Sequence, residues 1–149
     1  MKAIDLSNYV INYYILKDKP LLHTDMHKIL YEINGAYLQK TGHFLLDENF
    51  EAWSFGPCIH EVYKAREHSP ILMEQQKDEP LMGHVDRSGN VLGNEEVDFI
   101  AQKTAECLSR IEDHAGILSN EEGWIETLEN KGVRGTIEDD LVKRDYIGV

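Results

Sequence analysis

Apolar positions follow a 3.6-residue period over most of this chain and a two-residue period only near its middle. Leu6, Tyr9, Val10, Tyr13 and Tyr14 share one helical face and predict a first helix over about 5–17. It stops at KDKP (17–20), because proline disfavours helix at the residue before it. Met26, Ile29, Leu30, Ile33 and Tyr37 form a longer stripe, running from Thr24 as an N-cap to a glycine stop at Gly42. HFLLDENFEAWSF (43–55) reads as extended chain, with Glu51, Trp53 and Phe55 on one face and Phe50, Ala52 and Ser54 on the other. Pro57 suits the first position of a third helix that carries Ile59, Val62 and Tyr63 and ends before Pro70.

The second half returns to helical spacing after an irregular stretch. Residues 71–93 read as a loop or small hairpin turning at SGN (88–90). Asn94-Glu95-Glu96 opens a fourth helix, with a capping asparagine and acids that favour the positive end of the helix dipole. Its stripe is Val97, Ile100, Ala101, Thr104, Leu108 and Ile111. SNEE (119–122) matches a capping box ahead of Trp124, Ile125 and Leu128, and Thr136 is placed to cap a last turn or two. The expected fold is mainly α, α+β at most: one compact domain over 1–149 with about five helices and a short central extended element.

Length and composition agree with that picture. A chain of 149 residues can bury most of its apolar side chains in one core. No apolar run approaches the roughly 20 residues needed to span a bilayer. Asp5 and Asn8 interrupt the stretch a signal peptide would need, so a cytoplasmic protein with no membrane contact is expected. Cys58 and Cys107 lie far apart among helical apolar positions and read as buried free thiols.

Charge adds a constraint on partners. The net charge is −12, and residues 94–149 hold 14 acids against 6 bases, while 1–93 hold 13 against 9. Such a field disfavours direct nucleic-acid binding and permits a basic protein partner, although solubility alone explains the acidity equally well.

The motifs of common enzymes are missing. His23 and His27 bracket Asp25 in HTDMH, which has threonine where a zinc protease needs its glutamate, and they read as surface histidines near a helix start. His43, His60, His68, His84 and His114 are scattered and form no pattern. No GxSxG elbow, Walker loop or Rossmann glycine pattern occurs, so no catalytic residue, cofactor or metal is expected. Tyr9, Tyr13, Tyr14, Tyr31, Tyr37 and Tyr63 fall on or beside helical stripes, which suits core packing with the hydroxyls reaching partners. Glu51, set beside Trp53, must be paired, face water or lose its charge. Lys28 is the expected partner, with Tyr31 a turn further along the helix. Such a pair would either fix the strand across that helix or contact a partner.

Residues 27–63, HKILYEINGAYLQKTGHFLLDENFEAWSFGPCIHEVY, resemble the Panacea domain, a family that includes SocA-like proteolytic adaptors and phage-associated GepA-like proteins. Lys28, Ile29, Leu30 and Tyr31 fill its K-[LI]-L-Y helix; Thr41, Gly42 and Leu45 fill its second element. Phe50, Glu51, Ala52, Trp53, Gly56, Pro57, Glu61, Val62 and Tyr63 fill its FEAW..GP…Y element. Near the end, members commonly carry a "PW" pair; here Gly123 stands where the proline usually does, followed by Trp124.

The resemblance implies a binding protein rather than an enzyme: an antitoxin of a type II toxin–antitoxin module, neutralising a cognate toxin by direct contact. A SocA-like adaptor delivering a toxin to the ClpXP protease is the alternative. A metal-dependent enzyme built on the histidine-rich N-terminal half is a third reading, from another class. Lys28, Tyr31, Glu51, Trp53, Gly56, Pro57, Tyr63 and Trp124 are the motif positions expected to matter. Partner specificity is expected in 71–93 and in the acidic C-terminal third.

Overall fold

A computed structural model describes residues 1–149. Six helices and three short strands follow one another as α1 (Ala3–Leu16), α2 (His23–Thr41), β1 (Glu51–Trp53), β2 (Gly56–Cys58), α3 (His60–Ala65), α4 (Asn94–Glu112), α5 (Glu122–Lys131), β3 (Gly135–Thr136) and α6 (Asp139–Ile147). The fold is therefore mainly α with a small antiparallel sheet in the order β2-β1-β3.

Helix α2 is the axis of the molecule. Its apolar residues are buried on nearly every side, and α1, α4, α6 and the β1–β2 hairpin pack around it. A helix so enclosed belongs to the core rather than to an amphipathic surface. Gly35 makes one of these contacts feasible, because a β-carbon there would run into the Tyr146 ring of α6. The helix ends as its sequence predicts: Gly42 adopts φ +80° and donates its N–H to Leu38 O at 2.8 Å. Just beyond, the buried Asn34 side chain accepts N–H bonds from Leu45 and Leu46, at 3.1 and 3.0 Å, and turns the chain toward β1. Thirty-one buried residues drawn from all these helices and the connecting chain form one apolar cluster.

The boundaries differ from expectation where tertiary bonds replace local caps. Pro57 lies inside β2 instead of opening α3, which starts at His60. An edge strand accommodates it, since proline's missing N–H can face away from the ladder. Helix α2 begins at His23 with no side-chain cap from Thr24. Helix α4 is preceded by Gly93, whose N–H is bound by the Glu96 carboxylate at 2.8 Å. Ser119 does not cap α5; its N–H and hydroxyl both go to Glu32 Oε1 at 3.0 Å. Instead Asn120 Oδ1 accepts the Glu122 N–H at 2.9 Å and Asp145, from α6, accepts the Gly123 N–H at 2.7 Å. Thr136 is in β3, three residues before α6.

Residues 81–92 form the expected small hairpin, with Val85 bridged to Val91. Its centre is the buried Asp86 carboxylate, which accepts bonds from the N–H groups of Ser88 and Asn90, both at 2.9 Å, and from the Tyr37 hydroxyl at 3.0 Å. Burial pushes the Asp86 carboxyl up, but these bonds outweigh it and hold its pKa below the ordinary value.

Candidate functional site

The motif residues converge on the hairpin joint that follows α2. Ser54 and Phe55 form a two-residue turn between β1 and β2, with Glu51 opposite Cys58, Ala52 opposite Pro57 and Trp53 opposite Gly56. Alternation along β1 buries Phe50 and Ala52 and leaves Glu51 and Trp53 half-exposed on the outer face. Trp53 is thus less buried than its size suggests, because its face of the strand is covered by a few side chains, from Phe55 in the turn, from α3 and from the loop before β3.

Glu51 is paired, but not with Lys28. Its Oε1 accepts the Trp53 indole N–H at 2.8 Å and lies 3.4 Å from the Arg134 guanidinium. Arg134 sits over the Trp53 ring, 5.3 Å from the centroid, and donates to His60 Nδ1 at 2.7 Å. Its backbone holds φ +71° while its N–H donates to Ala52 O at 2.7 Å, so the loop before β3 is bent to deliver it. Lys28 has no carboxylate within 4.0 Å. Its methylene stem lies along Gly56, where a β-carbon would come within 3.0 Å of Cε, and Gly56 has φ +142°. The two motif positions therefore meet as a close approach of backbone and side chain, which glycine alone permits without strain.

An aromatic file leads inward from this surface. Trp53 packs on Tyr63 with ring centroids 4.7 Å apart, Tyr63 stacks on His23 at 5.1 Å, and His23 adjoins His27. Both histidines are buried, contrary to the surface placement expected from their position near a helix start. Tyr63 and the hairpin cover them, and no local pattern in α2 signals that cover. His27 Nδ1 accepts the Ile59 N–H at 3.3 Å, which places the ring's own proton on Nε2, 3.2 Å from His23 Nε2. Burial above all, then the neighbouring His23 and Arg66, lowers the His27 pKa to about 3; burial and then Arg66 lower that of His23. Cys58 lies 3.8 Å from His27, and burial followed by the Glu51 charge pushes its thiol up to about 12. A neutral thiol beside a neutral, enclosed imidazole lacks the thiolate character of a nucleophile. Cys107 is buried and likewise pushed up to about 12, chiefly by burial.

Trp124 and Tyr31 tie the C-terminal helices to the same joint. The Trp124 indole donates to Trp53 O at 2.7 Å, so α5 grips the end of β1. Tyr31 is buried edge-on to Phe50 at 5.1 Å and near Tyr146 at 6.1 Å, and its hydroxyl, like that of Tyr14, has no hydrogen-bond partner. Gly123 packs over that hydroxyl, and a β-carbon there would lie 2.7 Å from the Asp145 carboxylate. The departure from the "PW" pattern has this physical basis: a proline at 123 could not donate the N–H that Asp145 takes. Beside the joint, a cleft of about 500 Å³ is lined by Asp25, Lys28, Phe55, Glu121 and Trp124, among others.

The joint is thus a device for packing and hydrogen bonding, in which side chains from α2, α3, α5 and the β3 loop lock a two-stranded hairpin. The family model for the antitoxin SocA-like Panacea domain matches residues 26–131, which include all of these motif positions. The chain belongs to the SocA-like Panacea family. No curated protein and no solved structure matches it. Within this Panacea chain, the residue that sequence reasoning missed is Arg134, just beyond the matched span. Its only signal was a base flanked by glycines in NKGVRGT (130–136).

Proposed function

We propose that this Panacea protein is the antitoxin of a type II toxin–antitoxin pair and neutralises its toxin by direct protein–protein contact. The family match over 26–131 carries the reading. Two features of the structure support it. The buried His23, His27 and Cys58 of the joint are held neutral and Glu51 is paired with Arg134, as a scaffold requires. The acidic surface leaves charge to spare: Glu121, Glu122 and Glu129 are exposed and take part in no ion pair, whereas Glu126 is held by Arg144 at 2.6 Å. That surface suits a basic toxin, and no helix is long and apolar enough to cross a membrane.

The contact surface in this reading combines the exposed chain over 71–80 with the acidic face of α5, leaving the hairpin joint to maintain the shape between them. Co-expression with the product of an adjacent gene tests it. Growth should be rescued from a toxic neighbour, and the two proteins should co-purify, in cells with and without ClpXP. Rescue that vanishes without ClpXP would replace occlusion by adaptor-type delivery. A well-folded protein that rescues against no neighbouring gene product would overturn the antitoxin reading.

A further inference from the structure

His84 forms no pattern in the sequence, yet the fold brings it to two carboxylates from distant parts of the chain. Asp5 lies in the first turn of α1, Glu79 in the chain before the 81–92 hairpin, and His84 at that hairpin's start. One potential ligand atom from each falls within 4.8 Å of the others, and His84 Nε2 is 4.0 Å from Glu79 Oε2. We propose that Asp5, Glu79 and His84 form a binding site for a divalent transition-metal ion of the zinc or manganese type, which clips the exposed 74–80 segment to α1.

The donor set carries the chemical argument. One imidazole and two carboxylates suit Zn²⁺ or Mn²⁺, while the imidazole disfavours Mg²⁺ and Ca²⁺, which prefer oxygen. In a tetrahedral shell with bonds of about 2.1 Å, donor atoms stand roughly 3.4 Å apart. Drawing in a spread of 4.8 Å requires only side-chain rotation, which three half-exposed residues permit. Two of the three stand on fixed backbone. Asp5 belongs to a helix, and His84 donates its N–H to Leu81 O at 3.2 Å and accepts the Leu92 N–H at 2.7 Å, with Leu81 and Leu92 both buried. Glu79 is the third arm, on a stretch (77–80) whose backbone makes no hydrogen bond to other backbone. Its Oε1 is held by the Lys77 ammonium at 2.7 Å, a single exposed charge that a dication would displace.

The site is separate from the His23–His27–Cys58 group, which is enclosed and lies at the hairpin joint. It also does not depend on toxin binding, so the two readings can fail independently. Three protein donors leave room for one or more waters in the ion's shell, and the coupled effect is mechanical. A segment otherwise anchored at few points would gain a bond to a helix.

The test uses the full chain stripped with chelator and titrated with Zn²⁺ by calorimetry, with Mn²⁺ and Mg²⁺ in parallel. One zinc should bind per chain, and magnesium at the same concentration should not compete. His84→Ala, Asp5→Asn and Glu79→Gln should each weaken zinc binding at least tenfold, while His43→Ala and His68→Ala should leave it unchanged. Melting curves without metal check that each variant folds, and the isosteric Asp5→Asn decides the matter if His84→Ala does not. Zinc should also slow proteolysis within 74–80 in the unaltered protein and have no such effect in Asp5→Asn. Undetectable binding at millimolar zinc, equal affinity in Asp5→Asn and the unaltered chain, or loss of binding on Cys58→Ser instead would each overturn the proposal.

Discussion

The hairpin joint over 50–63 and the segment over 69–80 are neighbours in the chain and both fall inside the family match, but they are held by different means. In the joint, side chains from α2, α5 and the loop before β3 converge, and the strand faces are buried or half-buried except at the turn. Over 69–80 only Leu72 is buried; Ile71 and Met73 are exposed. The segment hangs on a few bonds: His23 N–H to Pro70 O at 2.9 Å, Leu72 N–H to Leu21 O at 2.8 Å, and the exchange between Asn12 and Gln76. Local stability follows buried contact and protected hydrogen bonds, so these two stretches should sit at opposite ends of the molecule's stability range. Substitution over 69–80 should therefore be tolerated better than substitution in the joint.

Truncation should expose this difference most strongly. Trp53→Ala removes the ring that covers Tyr63, accepts the Arg134 cation on its face and binds Glu51. It should cost about 3 kcal/mol, the low end for a large aromatic because the ring is half-exposed. Met73→Ala should stay within about 0.5 kcal/mol. Urea unfolding of the two variants checks the contrast, and equal losses would erase it.

Acid should attack the same joint and spare the segment. The His27 pKa in the folded protein lies below its ordinary value, so on acidification the unfolded chain takes up the proton first. Stability from this group is whole above about pH 6.5 and declines as pH falls toward 3. At pH 5 the loss from His27 alone should be about 2 kcal/mol relative to pH 7. His23 adds to it in the same direction, and Asp86, with its lowered pKa, contributes only below about pH 4. Denaturant midpoints measured from pH 7 to 4 should fall accordingly. A midpoint that is flat across this range would mean the imidazoles reach water.

A single bond makes a finer probe. Trp124→Phe keeps an aromatic ring, though a smaller one, and removes the indole N–H, leaving Trp53 O without its donor from α5. A cost of about 1 kcal/mol is expected, with faster exchange of amides in α5 and little change in α1. An equal acceleration in both helices would show that α5 is not gripped locally.

Much of this fold was legible in the sequence, and the misses share a cause. The stripes of α1, α2 and α4 and the stop at Gly42 depend on residues within a turn or two, and these were predictable. So were the two faces of the strand, but not that the buried one carries Phe50 and Ala52 while the larger Trp53 lies on the half-exposed one. Long-range choices were not. Glu51 could have met any nearby base, and what decides for Arg134 over Lys28 is an 83-residue closure through β3. His23 and His27 look like surface residues until Tyr63 and the hairpin fold over them. Asp145 caps α5 from the far end of the chain, so a local capping box at Ser119 was a reasonable inference and the wrong one. Asp5, Glu79 and His84 share no local pattern at all.

The acidic face should matter less to stability than to the approach of a partner. Reversing Glu121, Glu122 and Glu129 to lysine touches three exposed acids without ion pairs, so stability should stay within about 0.5 kcal/mol at Glu129 and fall by about 1 kcal/mol at each of Glu121 and Glu122, which face the positive end of the α5 dipole. Glu126 is left alone because its bond to Arg144 would confuse a structural loss with an electrostatic one. Against a basic toxin, complementary fields act chiefly on the approach of the partners. The triple variant should therefore associate more slowly, by about tenfold at low salt, with a flatter dependence on ionic strength. Its dissociation rate should change less. Stopped-flow mixing across a salt series, beside thermal melts of the same samples, separates these outcomes. An association rate indifferent to the reversals would remove the acidic face from the contact surface and leave 71–80 to carry it. A Trp53→Ala protein that still neutralises at full rate would reverse the comparison, making the joint dispensable to the shape it is proposed to hold.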